Sequence, residues 1–171
     1  MTLARLALAL ALVAAAPAGA KSVCGSPEEI RAAQLRQFHY QLQVAALNCR
    51  GDDPSLPGKW SAYVHHHGAT LSDNAKIMHG YFVRNGKGAA GFDRFNTVLT
   101  NRESVRVHET EGYCEINAPL FDRAVAASPA QLHHLAGEVI GKPLDMPACT
   151  EAAGADKPAE KKTPKKTAKA G

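Results

Sequence analysis

The chain has 171 residues, of which 45% are hydrophobic and 21% charged, and its formal net charge is +4. Residues 21–149 carry 13 basic and 13 acidic side chains, so the excess positive charge comes from the two ends. This composition argues against a strongly basic nucleic-acid-binding fold, a membrane-spanning protein and a cytosolic thiol enzyme, and it leaves room for one ordinary core.

Residues 1–20 have the pattern of a secretory signal peptide. Arg5 supplies a positive charge, and the eleven residues 6–16 are apolar. Such a run spans about 16 Å as a helix, too short to cross a hydrocarbon core of about 30 Å. Ala18-Gly19-Ala20 fits the small-x-small cleavage rule. We expect cleavage after Ala20 and a periplasmic or secreted product; the alternative is an N-terminal core helix.

The first helix of the mature chain is predicted to start at residues 26–29. This segment combines an N-cap serine, a proline suited to the first helical position and two acidic residues that complement the helix dipole. Apolar residues then recur at the spacing of an amphipathic helix. They are Ile30, Leu35, Phe38, Leu42, Ala45 and Cys49. We expect this helix to end within residues 48–51 and residues 52–58 to form a loop.

The rest of the chain repeats this helical periodicity. Helices are predicted over about 59–84, 90–106 and 113–127, and from the Ser128 cap to Val139. The first of these is one long helix or two that meet near Gly68. No stretch alternates apolar and polar residues as a strand would. The prediction is an all-α bundle of four to six helices over residues 21–149.

Four cysteines follow the predicted cleavage point, and an even number in an oxidising compartment predicts two disulfides. The absence of a CxxC pair from the sequence gives no support to a zinc knuckle or thioredoxin-type site. We favour Cys49–Cys114 with Cys24–Cys149, because the second pair brackets the domain and the first lies in or beside predicted helices. Cys24–Cys49 with Cys114–Cys149 stays open.

Eight histidines raise the question of a metal site. His65, His66 and His67 are consecutive, so on a helix they point about 100° apart, and one tetrahedral ion cannot readily take all three. The HExxH spacing is missing from the sequence. We therefore predict no metal site and no cofactor. A metal- or pH-responsive role for this cluster is kept as an alternative.

A second alternative is a cell-wall glycan hydrolase that uses Glu103 and a nearby acid. Glu103-Ser104 resembles the Glu-Ser pair of lytic transglycosylases, which are also helical and exported. The resemblance ends there, because Val105-Arg106-Val107 stands where that family has a Gly-Leu-Met-Gln type segment. We predict no catalytic residues.

A polar strip runs along the predicted helix 90–106. Its residues are Asn96, Thr97, Thr100, Asn101 and Ser104. Such side chains can line a groove, hydrogen-bond to a neighbouring helix or bond back to their own backbone. The strip is our prediction for a ligand-binding surface.

The C-terminal residues 150–171 contain six lysines and little that could be buried. This Lys/Pro/Ala-rich composition cannot offset its own ordering entropy and predicts a disordered tail. Lysines without interleaved aromatic residues predict weak, salt-sensitive contact with an anionic surface and no specific nucleic-acid binding.

Several segments together resemble an uncharacterised family of short exported bacterial helical proteins. They are residues 42–49, 81–84 and 97–104 and the Tyr113-Cys114 pair. The resemblance implies an envelope location and supports the Cys49–Cys114 pairing, and it implies no activity, cofactor or catalytic residue. Taken together, the sequence predicts a non-catalytic exported helical protein of the cell envelope with a binding or structural role.

Overall fold

The computed structural model describes residues 23–149, which form six α-helices and no β-strand. The helices are α1 (Pro27–Asn48), α2 (Leu56–His66), α3 (Gly68–Arg84), α4 (Gly88–Glu109), α5 (Tyr113–Ala126) and α6 (Pro129–Ile140). The predicted all-α class is therefore confirmed. The predicted signal peptide and lysine-rich tail lie outside the described residues.

Local sequence signals set the ends of two helices. At the start of α1, the Ser26 side chain accepts a hydrogen bond from the Glu29 backbone N–H, and the Glu29 carboxylate accepts one from the Ser26 N–H. Ser128 and Gln131 form the same reciprocal pair at the start of α6. Each capping box satisfies backbone donors that the first helical turn leaves free.

The segment 59–84 consists of two helices, as one of the two predicted alternatives had it. They meet at His67, whose Nε2 atom lies 2.8 Å from the Ala124 carbonyl oxygen of α5. The predicted loop 52–58 is too long by three residues, because α2 already begins at Leu56. Pro57 is compatible with this start, since the first helical turn needs no backbone donor there.

Helix α1 lies at the centre of the bundle and contacts each of the other five helices. Its predicted large apolar residues form only part of its buried surface. Small residues fill the remaining faces, so neighbouring helices approach closely there; they include Ala32, Ala33 and Ala46. The amphipathic prediction was therefore incomplete, because α1 has no broad solvent-facing side.

Two apolar clusters lie on either side of α1. The larger joins it to α2, α5 and α6, with Phe38, Tyr63 and Phe121 fully buried. The smaller joins it to α3, α4 and the segment after α6, through Met78, Phe95 and other residues. Through the smaller cluster, α4 packs against the segment that follows α6.

Both favoured disulfides are present. Cys49–Cys114 ties the end of α1 to the first turn of α5, and Cys24–Cys149 joins the two ends of the described chain. Backbone hydrogen bonds from Gly25 to Pro147 and from Cys149 to Gly25 accompany the second bridge. Two disulfides fit a protein of an extracellular or periplasmic compartment.

Within residues 23–149, no helix combines the length and apolarity that a membrane crossing requires.

Candidate functional site

A surface groove of about 470 Å³ lies where α1, α4, α5 and α6 meet. Its polar lining consists of Gln37, Gln41, Arg102, Arg106 and Lys142, and its apolar lining of Ile116, Leu120, Val139 and Ile140. Every charged side chain in this lining is a cation. We call it the cationic groove.

The three cations of the cationic groove differ in their partners. Arg102 and Lys142 are exposed, and neither forms an ion pair with another described residue. Arg106 is half-buried, and its Nη1 atom lies 2.9 and 3.2 Å from the two carboxylate oxygens of Glu103. Two unpaired cations and one held cation therefore face the same space, which favours an anion there.

Glu103 positions Arg106 from inside the protein. The Glu103 side chain is 6% exposed, and its Oε1 atom accepts a hydrogen bond of 2.8 Å from the Tyr113 hydroxyl. Burial, and then the neighbouring Glu103 carboxylate, raise the pKa of Tyr113, so this hydroxyl stays protonated and donates. Both oxygens of Glu103 are thus engaged by protein donors.

The two glutamines of the cationic groove are also held by the protein. Gln41 donates a 2.8 Å hydrogen bond to Asn117, whose own amide donates to the Tyr113 carbonyl oxygen. Gln37 accepts a 3.1 Å hydrogen bond from the backbone N–H of Leu144. These contacts limit the rotation of the two glutamine side chains, so this part of the groove needs little reorganisation when a ligand binds.

The chemistry of this groove is that of binding. Arginine and lysine offer charge-assisted hydrogen bonds to carboxylate or phosphate groups, and amides add neutral donors or acceptors. Ile116 is 55% exposed and supplies an apolar wall. A few placed polar groups beside an apolar surface are typical of small-molecule sites.

The polar strip lies on α4 but lines no part of the cationic groove. Thr97, Thr100 and Ser104 each donate a hydroxyl hydrogen bond to the carbonyl oxygen four residues earlier. Asn101 is exposed, and Asn96 is half-buried. Three of the five side chains are thus engaged with their own helix, and ligand binding by the strip stays a prediction.

The histidine cluster is divided by the α2–α3 junction. His65 and His66 are exposed, whereas His67 is buried and bonded to the Ala124 carbonyl oxygen. Burial lowers the pKa of His67. Within residues 23–149, no group of three or more His, Cys, Asp or Glu side chains is arranged to hold a metal ion.

One arginine is buried, which the sequence pattern does not predict. Arg36 of α1 is 8% exposed, its guanidinium lies 5.2 Å from the centre of the Phe92 ring, and its Nε and Nη2 atoms have no hydrogen-bond partner among the described residues. Nearby, burial and then the charge of Arg36 lower the pKa of His39 to about 4. Arg36 is buried because α1 lies at the centre of the bundle. No local sequence pattern predicts this burial.

Comparisons with protein-family models, with curated proteins and with solved structures gave no match. The resemblance to exported helical proteins therefore stays a prediction. The cationic groove is defined by the geometry of this chain alone.

Proposed function

We propose that this chain is an exported, non-catalytic helical protein of the cell envelope that binds an anionic ligand in the cationic groove. The observation that carries the proposal is the convergence of Arg102, Arg106 and Lys142 on a groove whose lining includes no carboxylate. A charge-assisted hydrogen bond contributes about 1.5–3 kcal/mol, so a few such contacts give useful affinity.

The groove favours a ligand that combines acidic groups with a small apolar part. Arg102 and Lys142 are free to rotate toward carboxylate or phosphate oxygens. Arg106 is held in place by Glu103 and offers its remaining donors. Ile116 and Ile140 in the same lining supply apolar contact.

Export is supported by independent features of the chain. The two disulfides fit an oxidising compartment, and residues 1–20 have the pattern of a cleavable signal. The resemblance to short exported helical proteins points the same way. Mass measurement of the natively isolated protein tests this part, with Lys21 as the expected first residue.

The lysine-rich residues 150–171 add a second, weaker contact in this proposal. Six lysines attract an anionic envelope surface without recognising a sequence or a shape. Deletion of residues 150–171 should lower retention on vesicles that contain anionic lipid, and the difference should vanish at high salt. Equal retention at low salt would contradict this role.

Calorimetric titration of the oxidised protein with citrate tests the groove. Arg102→Ala and Lys142→Ala should each weaken citrate binding at least tenfold, because each removes a charge-assisted contact worth about 1.5–3 kcal/mol. Arg50→Ala is the matched control, since Arg50 is exposed, lies after α1 and lines no part of the groove. Absence of binding, or equal loss in all three variants, would overturn the proposal.

A further inference from the structure

A second cavity, of about 510 Å³, lies between the end of α3, the start of α4 and the segment after α6. Its wall includes Phe82, Phe95, Val98 and Met146. We call it the aromatic cavity. It shares no lining residue with the cationic groove.

The wall of the aromatic cavity is firmly held. The rings of Phe82 and Phe95 lie 5.4 Å apart between centroids, and both side chains are buried. Met146 is 2% exposed and packs against Gly25, where an added Cβ atom would come within 2.9 Å of its sulfur. The Cys24–Cys149 bridge fixes the segment that carries Met146. The cavity is therefore a preformed apolar surface.

Charged side chains also line this apolar wall. Lys87 and Arg94 are exposed, and neither forms an ion pair with another described residue. Asp145 is the single acid among the lining residues. Two cations against one carboxylate give the cavity a net positive charge, which favours a negative head group over a positive one.

We propose that the aromatic cavity binds an amphipathic organic acid, with its apolar body against Phe82, Phe95 and Met146 and its acidic head toward Lys87 and Arg94. A volume of about 510 Å³ falls within the range of small-molecule pockets, about 300–1,000 Å³. Apolar contact supplies most of the affinity, and the cations select the sign of the head group. This site goes beyond the cationic groove and does not depend on it.

Calorimetric titration with laurate, below its micelle concentration, tests the proposal. Val98→Trp should weaken laurate binding at least tenfold, because Val98 lines the cavity and a larger side chain would fill it. Val105→Trp is the matched control: Val105 is on the same helix, is 51% exposed and lines no part of the cavity. Arg102→Ala, which alters the cationic groove, should leave laurate binding unchanged.

Head-group charge gives a second comparison. Dodecyltrimethylammonium has the same alkyl chain with a positive head, and we expect it to bind at least tenfold more weakly than laurate. Equal binding of the two alkyl amphiphiles, or equal laurate affinity in the two tryptophan variants, would overturn the proposal.

Discussion

The Nη1 atom of Arg106 lies 2.9 Å from Oε2 of Glu103, and this ion pair connects the protein interior with the cationic groove. The same carboxylate accepts a hydrogen bond from the buried Tyr113 hydroxyl. In an exposed cleft, a carboxylate such as Glu103 could serve as a catalytic acid. Here Glu103 is buried and holds Arg106 in position. This relationship links the folding of α4 and α5 with the geometry of the groove.

Neutralising Glu103 should destabilise the protein. In Glu103→Gln the ion pair to Arg106 is lost, and the buried Tyr113 hydroxyl faces an amide instead of a carboxylate. We expect the free energy of unfolding to fall by about 1–3 kcal/mol, measured by urea denaturation. Glu111→Gln, at an exposed turn residue, should change it by less than about 0.5 kcal/mol. Equal effects of the two changes would contradict the structural role of Glu103.

Removing each disulfide in turn should show that both stabilise the protein and that only Cys24–Cys149 also holds the wall of the aromatic cavity. In the chain-entropy model, loops of 65 and 125 residues each give about 4–5 kcal/mol of stability, so Cys49→Ala/Cys114→Ala and Cys24→Ala/Cys149→Ala should both lower the melting temperature. Only the second pair holds the segment with Met146, so only that variant should lose laurate affinity below its melting temperature. Equal laurate binding by both folded variants would count against the fixed cavity wall.

Replacing the hydroxyls of the polar strip should have little effect. In Thr97→Ala/Thr100→Ala/Ser104→Ala the lost hydrogen bonds are those to the same helix, and alanine is the better helix former. We expect stability within about 1 kcal/mol of the parent protein and unchanged citrate affinity. A tenfold loss of citrate binding would instead place the ligand on the strip.

Acid should destabilise the protein through His39. Burial lowers its pKa to about 4 from about 6.5 in the unfolded chain, so the unfolded state binds more protons between these pH values and stability falls as pH is lowered. Between pH 7 and pH 5, the contribution of His39 lowers the free energy of unfolding by about 2 kcal/mol. His39→Phe should reduce the drop by that amount, and the exposed change Ser61→Ala should not. An unaltered drop in His39→Phe would contradict a neutral, partly buried His39 in the folded protein.

The stability of His39→Phe should still fall somewhat as pH is lowered, because burial also lowers the pKa values of His67 and His133. Glu29 acts in the same direction at lower pH. Partial burial alone would raise its pKa, but hydrogen bonds from Arg84 and Ser26 lower it, so its stabilising effect is lost as the carboxylate is protonated.

Helix ends could be predicted from the sequence because their signals are local. The Ser26 and Ser128 caps lie within three residues of the groups they satisfy. The favoured cysteine pairing is confirmed, with Cys24 and Cys149 at the two ends of the domain, although the sequence alone left a second pairing open. The early start of α2 was missed because Pro57 was interpreted as a loop residue.

The candidate site was harder to predict because its parts come from distant segments. Arg102 and Arg106 stand four residues apart on one helix face, which was a local signal for a basic patch. Gln37 and Lys142 join them only through the packing of α1 and the end of α6. The burial of Arg36 likewise follows from the central position of α1, because the sequence pattern assigns a charged residue to solvent.

Mapping of backbone amide chemical shifts during a citrate titration tests the central claim most directly. Using the oxidised protein, we expect the largest concentration-dependent shifts at Gln37, Arg102, Arg106 and Lys142, with saturation at a single affinity. Shifts confined to the Thr97–Ser104 strip or to His65 and His66, or the absence of any saturable shift, would contradict the cationic groove as the binding site.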